Sequence, residues 1–132
     1  MARLLVIEDE PLVRQTIRMI LALDGHSIIE AENGAHGLAE LAQNEVDLVL
    51  TDIIMPGTEG IETIKQIRFL HPHLKIVAMS GTGASNLYLN AASKLGANAV
   101  LQKPFLPAHL RETVARVLSN IEDTRVEDKR QK

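Results

Sequence analysis

Five polar side chains stand directly after short apolar runs of the sequence. They are Glu8 and Asp9 after the first run, Asp52 after the third, Ser80 after the fourth and Lys103 after the fifth. If these runs are parallel strands, their carboxyl ends lie at one edge of a sheet, which is where open α/β sheets bind ligands. Three carboxylates, one hydroxyl and one ammonium group would then lie close together.

This set of groups indicates phosphoryl transfer assisted by Mg²⁺. Carboxylates held close together raise one another's pKa unless a cation is present. Magnesium typically takes one or two carboxylates, keeps several waters and shares the rest of its shell with phosphate oxygens. Beside such an ion, Asp52 could attack phosphorus and form an aspartyl phosphate. Lys103 and Ser80 would supply charge and a hydrogen bond to the phosphoryl oxygens.

Predicted strands and helices that could position these groups alternate along the chain. Five short apolar runs alternate with five segments of helical period, and most runs are rich in β-branched residues without in/out alternation. That pattern is typical of strands buried on both faces. The connections suit helical crossovers, whose fixed hand gives a parallel sheet covered by helices on both faces. The sequence therefore predicts one doubly wound α/β domain of (βα)5 pattern.

The element boundaries follow from the periodicity and from the residues that start and stop helices. The helices are predicted at about 10–23, 34–43, 61–70, 85–95 and 107–121. Asp9 is the expected N-cap of the first helix, and Gly25 ends it. Residues 122–132 mix charges of both signs, so they are predicted to be a frayed helix end or a disordered tail. The predicted domain is therefore 1–121, with 122–132 as a charged tail or the start of a linker.

Composition excludes several classes of protein. The 132 residues suit one domain, and the absence of cysteine excludes disulfides, thiolate zinc sites and cysteine nucleophiles. No apolar run approaches the roughly 18 residues that span a bilayer. A net charge of -3 and 2% aromatic residues offer neither a basic stripe nor a stacking platform, so direct nucleic-acid binding is not expected.

The motifs around the five polar groups resemble those of response-regulator receiver domains of bacterial two-component signalling. In order, they are Glu8-Asp9, Asp52-Ile53-Ile54-Met55-Pro56, Gly60, Ala78-Met79-Ser80-Gly81 and Lys103-Pro104-Phe105. Each motif alone is weak, but the five in this order are very specific and cover about residues 3–121. The resemblance implies a flavodoxin-like fold with strand order 2-1-3-4-5.

The resemblance implies a role for each matching residue. Asp52 would be the phosphoacceptor, Ser80 the switch hydroxyl and Lys103 the lysine that pairs with the phosphoryl group. The implied ligands of Mg²⁺ are Asp9, Asp52 and the backbone carbonyl of Ile54, with Glu8 acting through water. The Lys103–Pro104 peptide stands where members of the family commonly have a cis peptide, so the resemblance implies the cis form, which is cheap only at X–Pro bonds.

The resemblance also implies partners and a location. A histidine kinase or histidine phosphotransfer protein would donate the phosphoryl group from phosphohistidine in the cytoplasm. An output partner that the sequence does not name would bind the face formed by the fourth helix, fifth strand and fifth helix. The chain could also form a homodimer. It would catalyse only its own phosphorylation and dephosphorylation, so it would not be an enzyme for an external substrate.

Two residues depart from the family pattern. Val100 stands where many members carry an aromatic residue that moves on activation, so switching is expected to depend on the Ser80 loop and the fourth helix. Ile54 cannot position an attacking water, which predicts slow loss of the phosphoryl group from Asp52. Glu8 in place of the usual Asp is a mild variant.

Other interpretations fit the residues less well. A phosphatase of the haloacid-dehalogenase type also uses a strand-end Asp, but it needs a second acid at the position of Ile54. A flavodoxin-like binding module would need Ser, Thr and Gly after the first strand, where the acids of Glu8-Asp9-Glu10 would repel phosphate. Within the leading interpretation, the chain could be a stand-alone receiver or the first domain of a longer regulator.

Overall fold

Five strands and five helices alternate along the chain. The computed structural model describes residues 2–53, 59–81 and 85–130, with all side chains in these ranges except those of residues 59, 85–89 and 120–130. The elements are β1 (Arg3–Ile7), α1 (Pro11–Ala22), β2 (Ser27–Ala31), α2 (Gly34–Gln43), β3 (Leu48–Asp52), α3 (Glu59–Leu70), β4 (Lys75–Ser80), α4 (Ser85–Lys94), β5 (Ala99–Gln102) and α5 (Pro107–Arg130).

The strands form one parallel sheet in the order β2-β1-β3-β4-β5. This order confirms both the (βα)5 prediction and the strand order implied by the family resemblance. The register pairs Ile7 with Thr51 and Asp52 with Met79, so successive strands end close to a common line. The carboxyl ends of four neighbouring strands, β1, β3, β4 and β5, therefore form a single edge.

Two hydrophobic cores lie on opposite faces of this sheet. One is packed beneath α1 and α5 and contains Ile17, Val77 and Met79. The other is packed beneath α2, α3 and α4 and contains Ile76 and Ala78. Consecutive residues of β4 thus alternate between the cores, because side chains of a strand point to opposite faces in turn. This arrangement explains why the strands lack an alternating polar pattern.

The boundaries of two helices differ from the sequence prediction. The backbone of α5 stays helical to Arg130, whereas the predicted end was near residue 121. The added segment contains no Gly or Pro to stop a helix, although its charges resemble those of a tail. The N-cap of α1 is Glu10, without a side-chain cap bond, so the expected cap Asp9 was wrong. Among the described residues, no helix has the length and apolar character needed to cross a membrane.

Arg68 of α3 ties together the amino-terminal ends of β4 and β5, at the edge opposite the polar groups. Its guanidinium donates hydrogen bonds to the carbonyls of Pro72 at 2.8 Å, Leu74 at 2.8 Å and Gly96 at 2.7 Å. Gly96 has a φ of 110°, and a Cβ there would lie 2.8 Å from the Arg68 side chain. The glycine therefore allows both the turn and the close approach of the arginine.

Thr113 of α5 is a polar residue within the apolar packing. Its side chain is 1% exposed, and its hydroxyl has no hydrogen-bond partner in the part of the chain that the structure describes. A buried polar group without a partner lowers stability by roughly 1–3 kcal/mol, because it loses its bonds to water and gains none.

We therefore expect Thr113→Val, which keeps the side-chain shape, to raise the free energy of unfolding by about 1 kcal/mol. Urea unfolding followed by circular dichroism measures the change. Thr16→Val is the matched control, because the exposed Thr16 hydroxyl donates to the Leu12 carbonyl at 2.8 Å and should not gain stability. A Thr113→Val variant no more stable than the native chain would contradict this account of the buried hydroxyl.

Candidate functional site

The structure brings the predicted polar residues to one edge of the sheet. Glu8 directly follows β1, Asp52 and Ser80 are the last residues of β3 and β4, and Lys103 directly follows β5. All of these strands are neighbours and run parallel, so position alone makes the five groups converge. The sequence predicted this convergence correctly.

Lys103 joins two of the acids. Its Nζ donates to Glu8 Oε1 at 2.5 Å and to Asp52 Oδ2 at 2.8 Å. Its backbone N–H donates to the carbonyl of Ser80 at 2.6 Å, which holds the segment after β5 against the end of β4. The Lys103–Pro104 peptide is cis, as the family resemblance implied. The lysine thus links the ends of β1, β3 and β4.

The three acids form a cluster that could hold a metal ion. One carboxylate oxygen from each of Glu8, Asp9 and Asp52 lies within 4.8 Å of the others. Opposite ligands of Mg²⁺ lie about 4.2 Å apart, so small side-chain adjustments bring such oxygens into one shell. Glu8 and Asp52 are buried whereas Asp9 is exposed, which leaves the cluster open to solvent on the Asp9 side.

Burial and pairing shift two pKa values in the site. Burial raises the pKa of Glu8 to about 7, even though the hydrogen bond from Lys103 acts in the opposite direction. Burial would lower the pKa of Lys103, but its hydrogen bonds to Asp52 and Glu8 outweigh that effect and raise it. The lysine therefore stays charged at neutral pH, while Glu8 is close to taking up a proton.

Ser80 lies at the same edge, at the end of β4. Its hydroxyl is buried and donates to the carbonyl of Gly81 at 3.3 Å. Val100 of β5 is partly buried and packs against the core beneath α2, α3 and α4. The predicted role of Ile54 lies outside the described residues.

Gly60, the isolated glycine among the family motifs, lies against the residue that follows Asp52. A Cβ on Gly60 would overlap the backbone of Ile53, so only glycine fits at this approach. The start of α3 is thereby packed directly onto the chain leaving β3. This contact explains why a glycine is needed eight residues after the acid.

One contact at the site was not predicted from the sequence. The guanidinium of Arg14 donates to the backbone carbonyl of Glu8 at 2.7 Å. Arg14 stands in the first turns of a helix, a place where a solvated arginine is ordinary, and no motif distinguished it. Only the three-dimensional structure reveals that it contacts the acidic segment.

Comparison with known proteins agrees with the geometry. The family model of the response regulator receiver domain matches residues 4–115. The transcriptional regulatory protein ResD of Bacillus subtilis is 36% identical over 115 residues, which cover 87% of this chain and 46% of ResD. The chemotaxis protein CheY of the same organism is 30% identical over 118 residues, which cover 89% of this chain and 98% of CheY.

Solved structures show the same likeness. The CheY-like receiver domain protein from Methanospirillum hungatei superposes with a TM-score of 0.86 at 27% identity, covering 94% of this chain and 98% of that one. The chain thus spans about half the length of ResD but nearly all of the two CheY-like proteins.

The raised pKa of Glu8 predicts how cation binding depends on pH. Because its pKa is about 7, Glu8 carries a proton below that pH, and a metal must compete with the proton for the carboxylate. We expect the affinity for Mg²⁺ to fall about tenfold from about pH 8 to about pH 6. Isothermal titration calorimetry measures it. Glu8→Gln, which cannot titrate, should lose this dependence, and a constant affinity in the native chain would contradict the prediction.

Proposed function

This chain belongs to the response regulator receiver domain family of two-component signalling, and we propose on that premise that it is a switch phosphorylated on Asp52. The observation that carries the proposal is the contact of Lys103 Nζ with Asp52 Oδ2 at 2.8 Å, beside an acidic cluster that could bind a metal. Phosphoryl transfer to a carboxylate needs a lysine and a metal-binding cluster of this kind beside the accepting carboxylate. All of these groups lie at the carboxyl ends of the strands.

The transfer would proceed by attack of an Asp52 carboxylate oxygen on the phosphorus of a phosphohistidine. A P–O bond forms, the P–N bond breaks, and the histidine of the donor leaves with the electron pair. Lys103 is placed to balance charge on the phosphoryl oxygens, because its ammonium group already contacts Asp52. The donor would be a histidine kinase or a histidine phosphotransfer protein.

Mg²⁺ is the cation that we propose for the acidic cluster. Asp9 and Asp52 would bind it directly together with the backbone carbonyl of Ile54, and Glu8 would act through water. The bound ion would neutralise negative charge between the carboxylates and the incoming phosphoryl oxygens.

Signalling would follow from the new charge on Asp52. A phosphoryl group adds roughly -1.5 to -2 charge and strong acceptor oxygens, which would draw in the Ser80 hydroxyl and Lys103. Rearrangement at the end of β4 would alter the face formed by α4, β5 and α5, where we propose that the output partner binds. Val100 provides no aromatic side chain for this change, so the Ser80 loop and α4 would carry it.

The chain would act only on its own Asp52 and not on an external substrate. The absence of cysteine fits a reducing cytoplasm, the location that we propose with this function. The division into a receiver domain at 1–121 and a charged segment at 122–132 stays a prediction, as does homodimer formation.

Phosphorylation of Asp52 can be tested with a small-molecule donor. We expect acetyl phosphate and Mg²⁺ to add one phosphoryl group, detected by intact mass, and EDTA to prevent it. Asp52→Asn should abolish the adduct, because an amide is a poor nucleophile. Asp47→Asn is the matched control, since Asp47 accepts a hydrogen bond from the Arg3 backbone at the opposite edge of the sheet. An adduct that persists in Asp52→Asn would overturn the assignment.

The lifetime of the phosphoryl group tests the role of Ile54. An isoleucine side chain cannot hold an attacking water, so we expect the aspartyl phosphate to be long-lived. Ile54→Asn should shorten its lifetime about tenfold or more by orienting water for attack. Ile54→Val, which stays apolar, is the control. Decay of the adduct is followed by mass spectrometry after removal of acetyl phosphate, and equal lifetimes in all three chains would refute the hypothesis.

A further inference from the structure

We propose that Arg14 is a positioning residue that sets the geometry of the metal-binding acids without touching the metal. The inference rests on the proposed function, because it concerns how the acidic cluster holds Mg²⁺. Arg14 lies near the start of α1, close in the chain to Glu8 and Asp9.

The first contact of Arg14 is with the peptide that joins the two acids. Its Nη1 donates to the carbonyl oxygen of Glu8 at 2.7 Å. That carbonyl belongs to the peptide plane between Glu8 and Asp9, so its orientation sets the directions in which both side chains leave the backbone. Glu8 is also held on its amide side, because its N–H donates to the Ala31 carbonyl at 3.0 Å. The backbone of Glu8 is thus held by hydrogen bonds at both its N–H and its carbonyl.

The second contact of Arg14 anchors the arginine itself. Its Nε donates to Glu30 Oε1 at 3.0 Å, and its side chain is 15% exposed. Glu30 belongs to β2, which pairs with β1 along its whole length. The planar guanidinium therefore spans from β2 to the acidic turn with two hydrogen bonds of fixed relative direction. A flexible ammonium group cannot reproduce that geometry.

Arg18 offers a natural comparison within the same helix. Its Nη1 donates to the other oxygen of the Glu30 carboxylate, Oε2, at 2.8 Å, and its side chain is 59% exposed. Arg14 and Arg18 thus share one carboxylate and carry the same charge. Arg14 makes the hydrogen bond to the Glu8 carbonyl. Comparing the two residues separates the effect of that bond from the effect of charge and of the ion pair.

The direction of the change in Mg²⁺ affinity when Arg14 is removed distinguishes a positioning role from a purely electrostatic one. A positive charge near a cation site repels the cation. If Arg14 acted only through its charge, its removal would therefore strengthen Mg²⁺ binding. If Arg14 instead orients the acids, its removal weakens binding. Substitution of groups that orient metal ligands typically lowers metal affinity 10–100-fold. Arg14 acts on the backbone rather than on a ligand atom, so the expected loss is about tenfold.

The experiment compares the native chain with Arg14→Met, Arg14→Lys and Arg18→Met. Calorimetric titration gives the affinity for Mg²⁺, and the amide resonances of Asp9 and Glu10 during the titration report the geometry of the turn. Urea unfolding in EDTA gives the stability of each metal-free chain. Arg14→Lys keeps the charge and gives a second chain if Arg14→Met does not fold.

We expect both Arg14 variants to bind Mg²⁺ about tenfold more weakly and to show altered Asp9 and Glu10 shifts, with Arg18→Met binding as the native chain does. The inference is overturned if Arg14→Met binds Mg²⁺ as tightly as the native chain or more tightly, even when it is less stable. It is also overturned if Arg14→Lys binds Mg²⁺ as tightly as the native chain, because the geometry of the guanidinium would then not be required. A native chain that binds no Mg²⁺ would instead refute the proposed function, and this inference with it.

Discussion

The structure depends on one partly buried lysine whose ammonium group bridges two carboxylates. Lys103 follows β5, whereas its partners Asp52 and Glu8 stand at the ends of the strands one and two places beyond β4 in the sheet. With strands about 4.8 Å apart, the lysine must reach over the end of β4, which only a long side chain can do. The small Ser80 at that end leaves it room. Separating these charges in the apolar edge would leave an uncompensated buried ion, which is strongly destabilising.

The bridge also leaves the site with a defined excess of charge. Three carboxylates face one ammonium group, so two negative charges remain when all the acids are ionised. A divalent cation balances that excess, whereas a proton on Glu8 balances half of it. Burial is the main cause of the raised pKa of Glu8 in the metal-free chain, and the nearby charge of Asp52 adds a smaller contribution in the same direction. The arrangement that suits a metal is thus the same one that makes the acid easy to protonate.

Sequence periodicity predicted the elements and the edge at which the polar groups meet. Strand position alone brought Asp52 and Lys103 together, and the cis Lys103–Pro104 peptide followed from the family resemblance. The strand order came from that resemblance and not from periodicity. The end of α5 was missed because charge pattern does not distinguish a solvated helix from a tail. The contact of Arg14 was missed because a bond from a side chain to a distant backbone carbonyl leaves no trace in residue spacing.

Because hydrophobic cores cover both faces of the sheet, the charged residues at the strand ends also have a role in folding. Because both faces of β3 and β4 are apolar, a strand that slipped along its neighbour would still bury hydrophobic side chains on both sides. Hydrophobic pattern therefore specifies the alignment of these strands only weakly. A slip that draws the carboxyl end of a strand into the sheet would, however, move Asp52 or Glu8 away from Lys103 and among apolar side chains, at the cost of an unpaired charge. The groups assigned to phosphoryl chemistry thus also mark the correct strand alignment during assembly of the sheet.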